Sequence, residues 1–271
     1  MRSVILVCIG LLFVQPVALQ AQDWNFHIVD DAGTAGYQSQ VTVTSDGTPY
    51  ILYKDASTND LYLASWVSTG GNGGGWDKLL IDTYSNFLYA IEIIADSDDY
   101  LHLAWDSYSP QSVNYAVYDP QTETWIVPEE QAAAEYGSLD LAIVEHALNF
   151  TAYIVYVHRY SPYHLKLCTR DPDTGIWSVE TIHDQSCSGT MPSIAADLQG
   201  DLHISFREAG SSSLMYATNA NVTSTWVTEY VDVDGNLGQY SSIVIDDSDV
   251  PYIVYYDATN ADLKYARLVT P

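Results

Sequence analysis

The chain is predicted to be all-β: a five-bladed β-propeller of four-stranded antiparallel blades, closed by the N-terminal strand completing the last blade. Three observations predict this. One phrase returns five times, placing Tyr50, His102, Tyr153, His203 and Tyr252 at equivalent positions with spacings of 52, 51, 50 and 49 residues. A tryptophan follows the phrase in four copies, at Trp76, Trp125, Trp177 and Trp226. The segment Trp24-Asn-Phe-His-Ile-Val-Asp30, ahead of the first copy, matches Trp76-Asp-Lys-Leu-Leu-Ile-Asp82 and supplies the tryptophan strand that the fifth copy lacks. A fixed period of this size marks a repeat architecture. Radial closure protects the sheet edges and faces that an open stack would expose.

The elements of one repeat follow in order. The first strand is Ser193-Ile-Ala-Ala-Asp197 or Ser242-Ile-Val-Ile-Asp246, and a turn such as Asp46-Gly47 or Gln199-Gly200 follows it. The second is Leu202-His-Ile-Ser-Phe206 or Tyr252-Ile-Val-Tyr255, and the third is Leu214-Met-Tyr-Ala217 or Leu263-Lys-Tyr-Ala266. The fourth begins at the tryptophan. Alternating residues, β-branched and aromatic enrichment, and short Gly/Asn/Asp/Ser connections favour antiparallel hairpins. Tyr53, Trp105, Tyr156, Phe206 and Tyr255 share one repeat position, so they are expected to pack between blades. Trp66 falls outside both aromatic sets and is expected to be exposed.

The ends and the charge bound the function. Arg2 followed by the apolar run Val4–Val14 and by Ala18-Leu-Gln-Ala21 reads as a secretory signal peptide over residues 1–21. The mature domain is then 22–271, and the expected location is secreted or periplasmic. The apolar run is shorter than the ~20 residues of a spanning helix, so no membrane insertion is expected. Loss of Arg2 leaves 8 of the 9 basic side chains against 35 acidic ones, a charge of −27. Such acidity repels nucleic acid. Cys168 and Cys187 survive maturation, and both a disulfide and two free buried thiols fit the sequence.

Pro192-Ser-Ile-Ala-Ala-Asp197, followed by His-Ile-Ser-Phe or Tyr-Ile-Val-Tyr-Tyr-Asp and then Leu-Lys-Tyr-Ala, resembles the repeats of secreted bacterial propellers in the broad sialidase-like (BNR-type) group. The resemblance covers residues 23–271. The Ser-x-Asp-x-Gly-x-Thr-Trp turn of true Asp-boxes is missing, and no arginine triad can be assigned among Arg159, Arg170, Arg207 and Arg267. Sialidase activity is therefore not implied.

Candidate chemistry lies on the end of the ring bearing the connections between second and third strands and those entering the next blade. Asp55, His158, Glu208 and Asp257 end the second strands there, with Arg207 one place earlier. Carboxylates beside aromatic rings suit sugar recognition, because rings cover C–H faces and carboxylates accept hydroxyl hydrogen bonds. Asp55 and Asp257 also fit a plain loop-capping role. Near the axis, Glu92 and Asp140 replace Gln40, Ser193 and Ser242, and with Asp106 they are the candidate acid–base pair of a glycosidase. Asp232, Asp234 and Asn236 place oxygen ligands at alternate positions and are the candidate calcium site. No other cofactor is expected.

The expected function is a secreted, non-catalytic, monomeric binding propeller that recognises an extracellular glycan or protein surface. The alternative is a glycoside hydrolase or related polysaccharide-acting enzyme using the axial carboxylates.

Overall fold

The computed structural model describes residues 25–68, 74–83, 90–187, 191–220 and 226–269. The proposed leader and Trp24 lie outside them. Nineteen strands form five antiparallel sheets, each built from strands consecutive in sequence. The first sheet is β1(Ala35–Val43), β2(Pro49–Asp55), β3(Asp60–Ser68) and β4(Gly74–Thr83). The second is β5(Ile91–Ala95), β6(Leu101–Tyr108), β7(Gln111–Asp119) and β8(Thr124–Ala133). The third is β9(Leu139–Glu145), β10(Phe150–Val157), β11(Leu165–Arg170) and β12(Trp177–His183). The fourth is β13(Ser193–Ala196), β14(Leu202–Glu208), β15(Ser213–Thr218) and β16(Val227–Asp232). The fifth holds only β17(Leu237–Ile245), β18(Pro251–Asp257) and β19(Asp262–Arg267). No helix among the described residues is long and apolar enough to cross a membrane.

The repeat residues form these elements for identifiable reasons. In the second, fourth and fifth sheets an aspartate after the first strand closes the turn into the second. Asp246 Oδ1 accepts the amides of Ser248 and Val250 at 2.9 and 3.0 Å, and Oδ2 accepts the Tyr252 hydroxyl at 2.8 Å. Asp96 and Asp197 do the same with backbone amides, and each bonds Nε2 of the histidine at the tyrosine position, His102 or His203. Nδ1 of each histidine meets a third-strand hydroxyl, Tyr115 or Tyr216. The two histidines are thus fully satisfied polar tips in a buried layer.

Successive sheets pack face to face through apolar seams. Leu52, Leu61 and Leu63 of the first sheet meet Ile93, Leu103 and Trp105 of the second. Comparable clusters join the second to the third, the third to the fourth and the fourth to the fifth. The recurring aromatics Tyr53, Trp105, Tyr156, Phe206 and Tyr255 are all at most 3% exposed, as inter-sheet packing requires. Trp66 is half-buried rather than exposed, with its ring 5.5 Å from that of Trp76 and 4.6 Å from that of His27.

The expected closure is corrected by the structure. Residues 25–30 form no strand, the fifth sheet keeps three strands, and no apolar cluster among the described residues joins it to the first. Asp30 of the N-terminal segment accepts the Tyr53 hydroxyl and the Lys78 ammonium of the first sheet, each at 2.7 Å. The consequence is visible in matched residues. Leu214 and Tyr216 are 0% and 5% exposed beneath the fifth sheet, whereas their counterparts Leu263 and Tyr265 are 82% and 60% exposed. Five sheets stand in succession around an axis, but the ring is open between the last and the first.

Candidate functional site

The inner strands β1, β5, β9, β13 and β17 and the connections into them surround a cavity of about 450 Å³. Gln40, Glu92, Asp140, Ser193 and Ser242, one residue from each repeat, all line it. The structure therefore brings Glu92 and Asp140 together, as the repeat alignment suggested. Ser138 and Met191, in the connections that enter the inner strands, and Ser241 of β17 complete much of the wall.

The two carboxyls differ in their surroundings. Glu92 Oε1 accepts Nε2–H of Gln40 at 2.8 Å. Burial first, and the charge of Asp140 second, push the Glu92 carboxyl up to about 8 against the pull of Gln40. Asp140 is fixed by the backbone: Oδ1 accepts the Leu141 amide at 2.8 Å and Oδ2 the Ile194 amide at 2.9 Å. Burial raises its pKa, and these amides with the Ser193 hydroxyl work against that rise. Asp140 thus ties the third sheet to the fourth. Asp106 lies one strand further out, fully buried, with Oδ1 accepting the Ala90 amide at 2.8 Å and the buried Lys54 beside it. It does not line the cavity.

At the same end, between the second and third sheets, stands a group of aromatic rings. Tyr108 meets Tyr136 edge to face at 5.4 Å, Tyr136 meets Tyr160 at 5.7 Å, and Tyr160 lies 6.0 Å from the ring of His158. The hydroxyls of Tyr136 and Tyr160 are 3.0 Å apart. Tyr136 is buried, while Tyr108 and Tyr160 are 38% and 43% exposed. Backbone bonds from Arg159 to Tyr136 and from Val157 to Ser138 lay this group beside the cavity wall. A side chain at Gly137 would bring its Cβ to 1.8 Å from the Val157 carbonyl oxygen, so the chain can pass this close only as glycine. His158 was a sequence candidate, but the tyrosines were not. The signal was present: Tyr108-Ser-Pro110 and Tyr160-Ser-Pro162 repeat at an interval of 52 residues.

The other candidates separate. Asp55 accepts the amides of Thr34 and Ser57 and the Ser57 hydroxyl. Asp257 accepts the amides of Thr259 and Asn260 and the Asn260 side chain. Both cap loops. Glu208 meets Nε2 of His183 and the Tyr230 hydroxyl, each at 3.2 Å. Arg207 turns the other way and donates from Nη2 to Asn236 Oδ1 at 2.8 Å and to the Ser212 hydroxyl at 3.2 Å.

Two of the three candidate calcium ligands, Asp232 and Asn236, face cations, and the Asp234 amide donates to Asp232 Oδ1. Asp232 accepts the Tyr255 hydroxyl and pairs with Lys264, while Asn236 Oδ1 serves Arg207. Among the described residues no group of three or more His, Cys, Asp or Glu is placed to hold a metal ion. Cys168 and Cys187 are buried in different seams and are not joined by a disulfide. Burial pushes each thiol up to about 12, which leaves them unreactive.

No protein-family model matches the chain, and no curated protein matches its sequence. Its fold is similar to that of solved β-propellers. The fungal lectin of Aleuria aurantia, described as a six-bladed β-propeller with a novel fucose recognition mode, aligns with a TM-score of 0.56 at 13% identity over 85% of this chain and 74% of the lectin. SapL1 lectin, solved with alpha methyl fucoside, aligns with a TM-score of 0.59 at 10% identity over 86% and 77%. The polysaccharide lyase Uly1 aligns with a TM-score of 0.51 at 12% identity over 86% of this chain and 57% of the lyase. Likeness at such identities places the chain's sheets in the β-propeller class of fold and carries no activity with it.

Proposed function

We propose that this chain is an exported, non-catalytic protein that binds carbohydrate at the end of the sheet array where the axial cavity meets the Tyr108–Tyr136–Tyr160 group. The observation that carries this reading is that adjacency. Half-exposed tyrosine rings offer faces to sugar C–H bonds, and the cavity beside them offers hydroxyl partners in Glu92, Gln40 and the serines. Glu92, protonated through much of the neutral range, both donates and accepts there. The residue 1–21 leader supports secretion or delivery to the periplasm, and the repeat phrases keep the likeness to secreted sialidase-like propellers within this reading. The partner is an extracellular glycan and the working state a monomer.

The glycosidase alternative is less well supported. A two-carboxylate mechanism needs a second acid or base that faces the substrate. Asp140 has both oxygens on backbone amides, and Asp106 is buried away from the cavity. That leaves Glu92 alone. Titration calorimetry of residues 22–271 with a panel of neutral oligosaccharides tests the proposal. Binding should fall about tenfold in Tyr160→Ala, by the stacking contribution of an aromatic ring, with no reducing sugar released. Equal affinity in Tyr108→Ala, Tyr160→Ala and wild type would refute it, and sugar release lost in Glu92→Gln would favour the enzyme.

A further inference from the structure

Arg207 is placed unlike four other cations of this acidic chain. Lys78 pairs with Asp30, Lys166 with Glu135, Arg170 with Glu130 and Lys264 with Asp232. Among the described residues Arg207 bonds neutral oxygens, those of Ser212 and Asn236, and both bonds leave from Nη2. Its Nε is buried and meets no acceptor among the described residues. Glu208, the next residue, faces the opposite side of β14 and is occupied by His183 and Tyr230. Burial depresses the Arg207 pKa with no carboxylate opposing the effect. A half-buried guanidinium without an anion is costly, and a planar fork with unused donors is the usual receptor for an oxyanion.

The surroundings hold that fork in place. Arg207 sits at the seam of the fourth and fifth sheets, on the same end as the axial cavity. Gly238 has a φ of +79°, and a Cβ there would lie 3.0 Å from Leu214 Cα and 3.3 Å from Arg207 Cβ. The amide of Asn236 is anchored by the Thr259 hydroxyl at 2.7 Å, which fixes the side chain that orients the guanidinium.

We propose that Arg207, with Ser212 and Asn236, forms an anion subsite that takes the carboxylate or sulfate oxygens of an acidic saccharide. It rests on the reading that this end of the protein binds glycan, and it names the glycan's charge. In a chain of net charge −26, one uncompensated arginine selects where an anionic sugar residue can land, and repulsion elsewhere adds to that selection.

The test is calorimetry of residues 22–271 with three probes: tetragalacturonate, its fully methyl-esterified form, and a sulfated galactan tetrasaccharide. Wild type should bind at least one anionic probe about tenfold or more tightly than the neutral ester, with affinity falling as salt rises. Arg207→Gln should erase the difference while retaining ester binding and an unchanged unfolding midpoint, and Arg207→Lys should keep part of it. Preference for the uronate or for the sulfate identifies the source of the oxyanion. A wild type that does not distinguish charged from neutral probes, or an Arg207→Gln variant that still does, overturns the subsite. Ester binding that is lost in Tyr160→Ala but indifferent to Arg207 would leave the carbohydrate reading standing without it.

Discussion

Glu92 and Asp140 face one cavity from neighbouring inner strands, and only one of them is held by the backbone. Asp140 has both oxygens on the amides of Leu141 and Ile194, which oppose the rise that burial imposes on its pKa. Glu92 has one side-chain donor, Gln40, and yields its charge instead. The pair divides into one carboxyl held by the backbone and one raised into the neutral range.

That division predicts a pH dependence. The Glu92 carboxyl lies at about 8 in the fold against 4.5 in an unfolded chain. Between these values the folded state holds a proton that the unfolded state has released, so stability falls as pH rises through the window and levels off above it. Glu92→Gln should remove this slope. Urea titrations at pH 5 and pH 9 should show the variant gaining about 4 kcal/mol on wild type at the higher pH and little at the lower.

Asp140→Asn should weaken the junction of the third and fourth sheets. An amide presents one acceptor where two backbone N–H groups require one each, so its NH2 would face a donor. The expected cost is about 2–3 kcal/mol by denaturant titration. The Glu92 carboxyl, relieved of the neighbouring charge, should also titrate lower when followed by NMR.

Tyr115→Phe should cost about 1–3 kcal/mol, because it strands Nδ1 of the fully buried His102 without a partner. The same change at Tyr216 tests His203. The double variant should approach the sum of the two, since the residues lie in the second and fourth sheets.

Asp257→Ala should lower stability by about 1 kcal/mol and leave saccharide affinity unchanged, because the carboxylate caps its own loop at Thr259 and Asn260. A loss of affinity without loss of stability would return Asp257 to the binding surface.

The repeat made most of the architecture legible. It located the strands, the turn aspartates and the buried aromatics, since each is a local pattern repeated at one interval. It also located Glu92 and Asp140, because they break the pattern at a position whose geometry the other copies define. Closure was not legible: a matching segment such as Trp24–Asp30 declares a likeness but not a partner, and Asp30 bonds Tyr53 and Lys78 of the first sheet. The role of Tyr136 was hidden for another reason. It lies in a connection, where position is set by the close passage at Gly137 rather than by alternation. Cys168 and Cys187 resemble a disulfide in composition alone, and tertiary packing assigns them to separate seams.

Strand β19, with Leu263 and Tyr265 bare, gives the array a polarity that identical repeats would otherwise lack. Every interior sheet is clasped from both sides, while the first and fifth are clasped from one side and the fifth also lacks a fourth strand, so unravelling should start at the fifth and run inward like a seam coming undone. Amide protons of β19 should exchange with solvent first, those of β6 and β10 last. A saccharide bridging the fourth and fifth sheets would therefore do more than occupy a surface: it would stitch down the loose end, and its occupancy should be readable as protection far from the sugar itself.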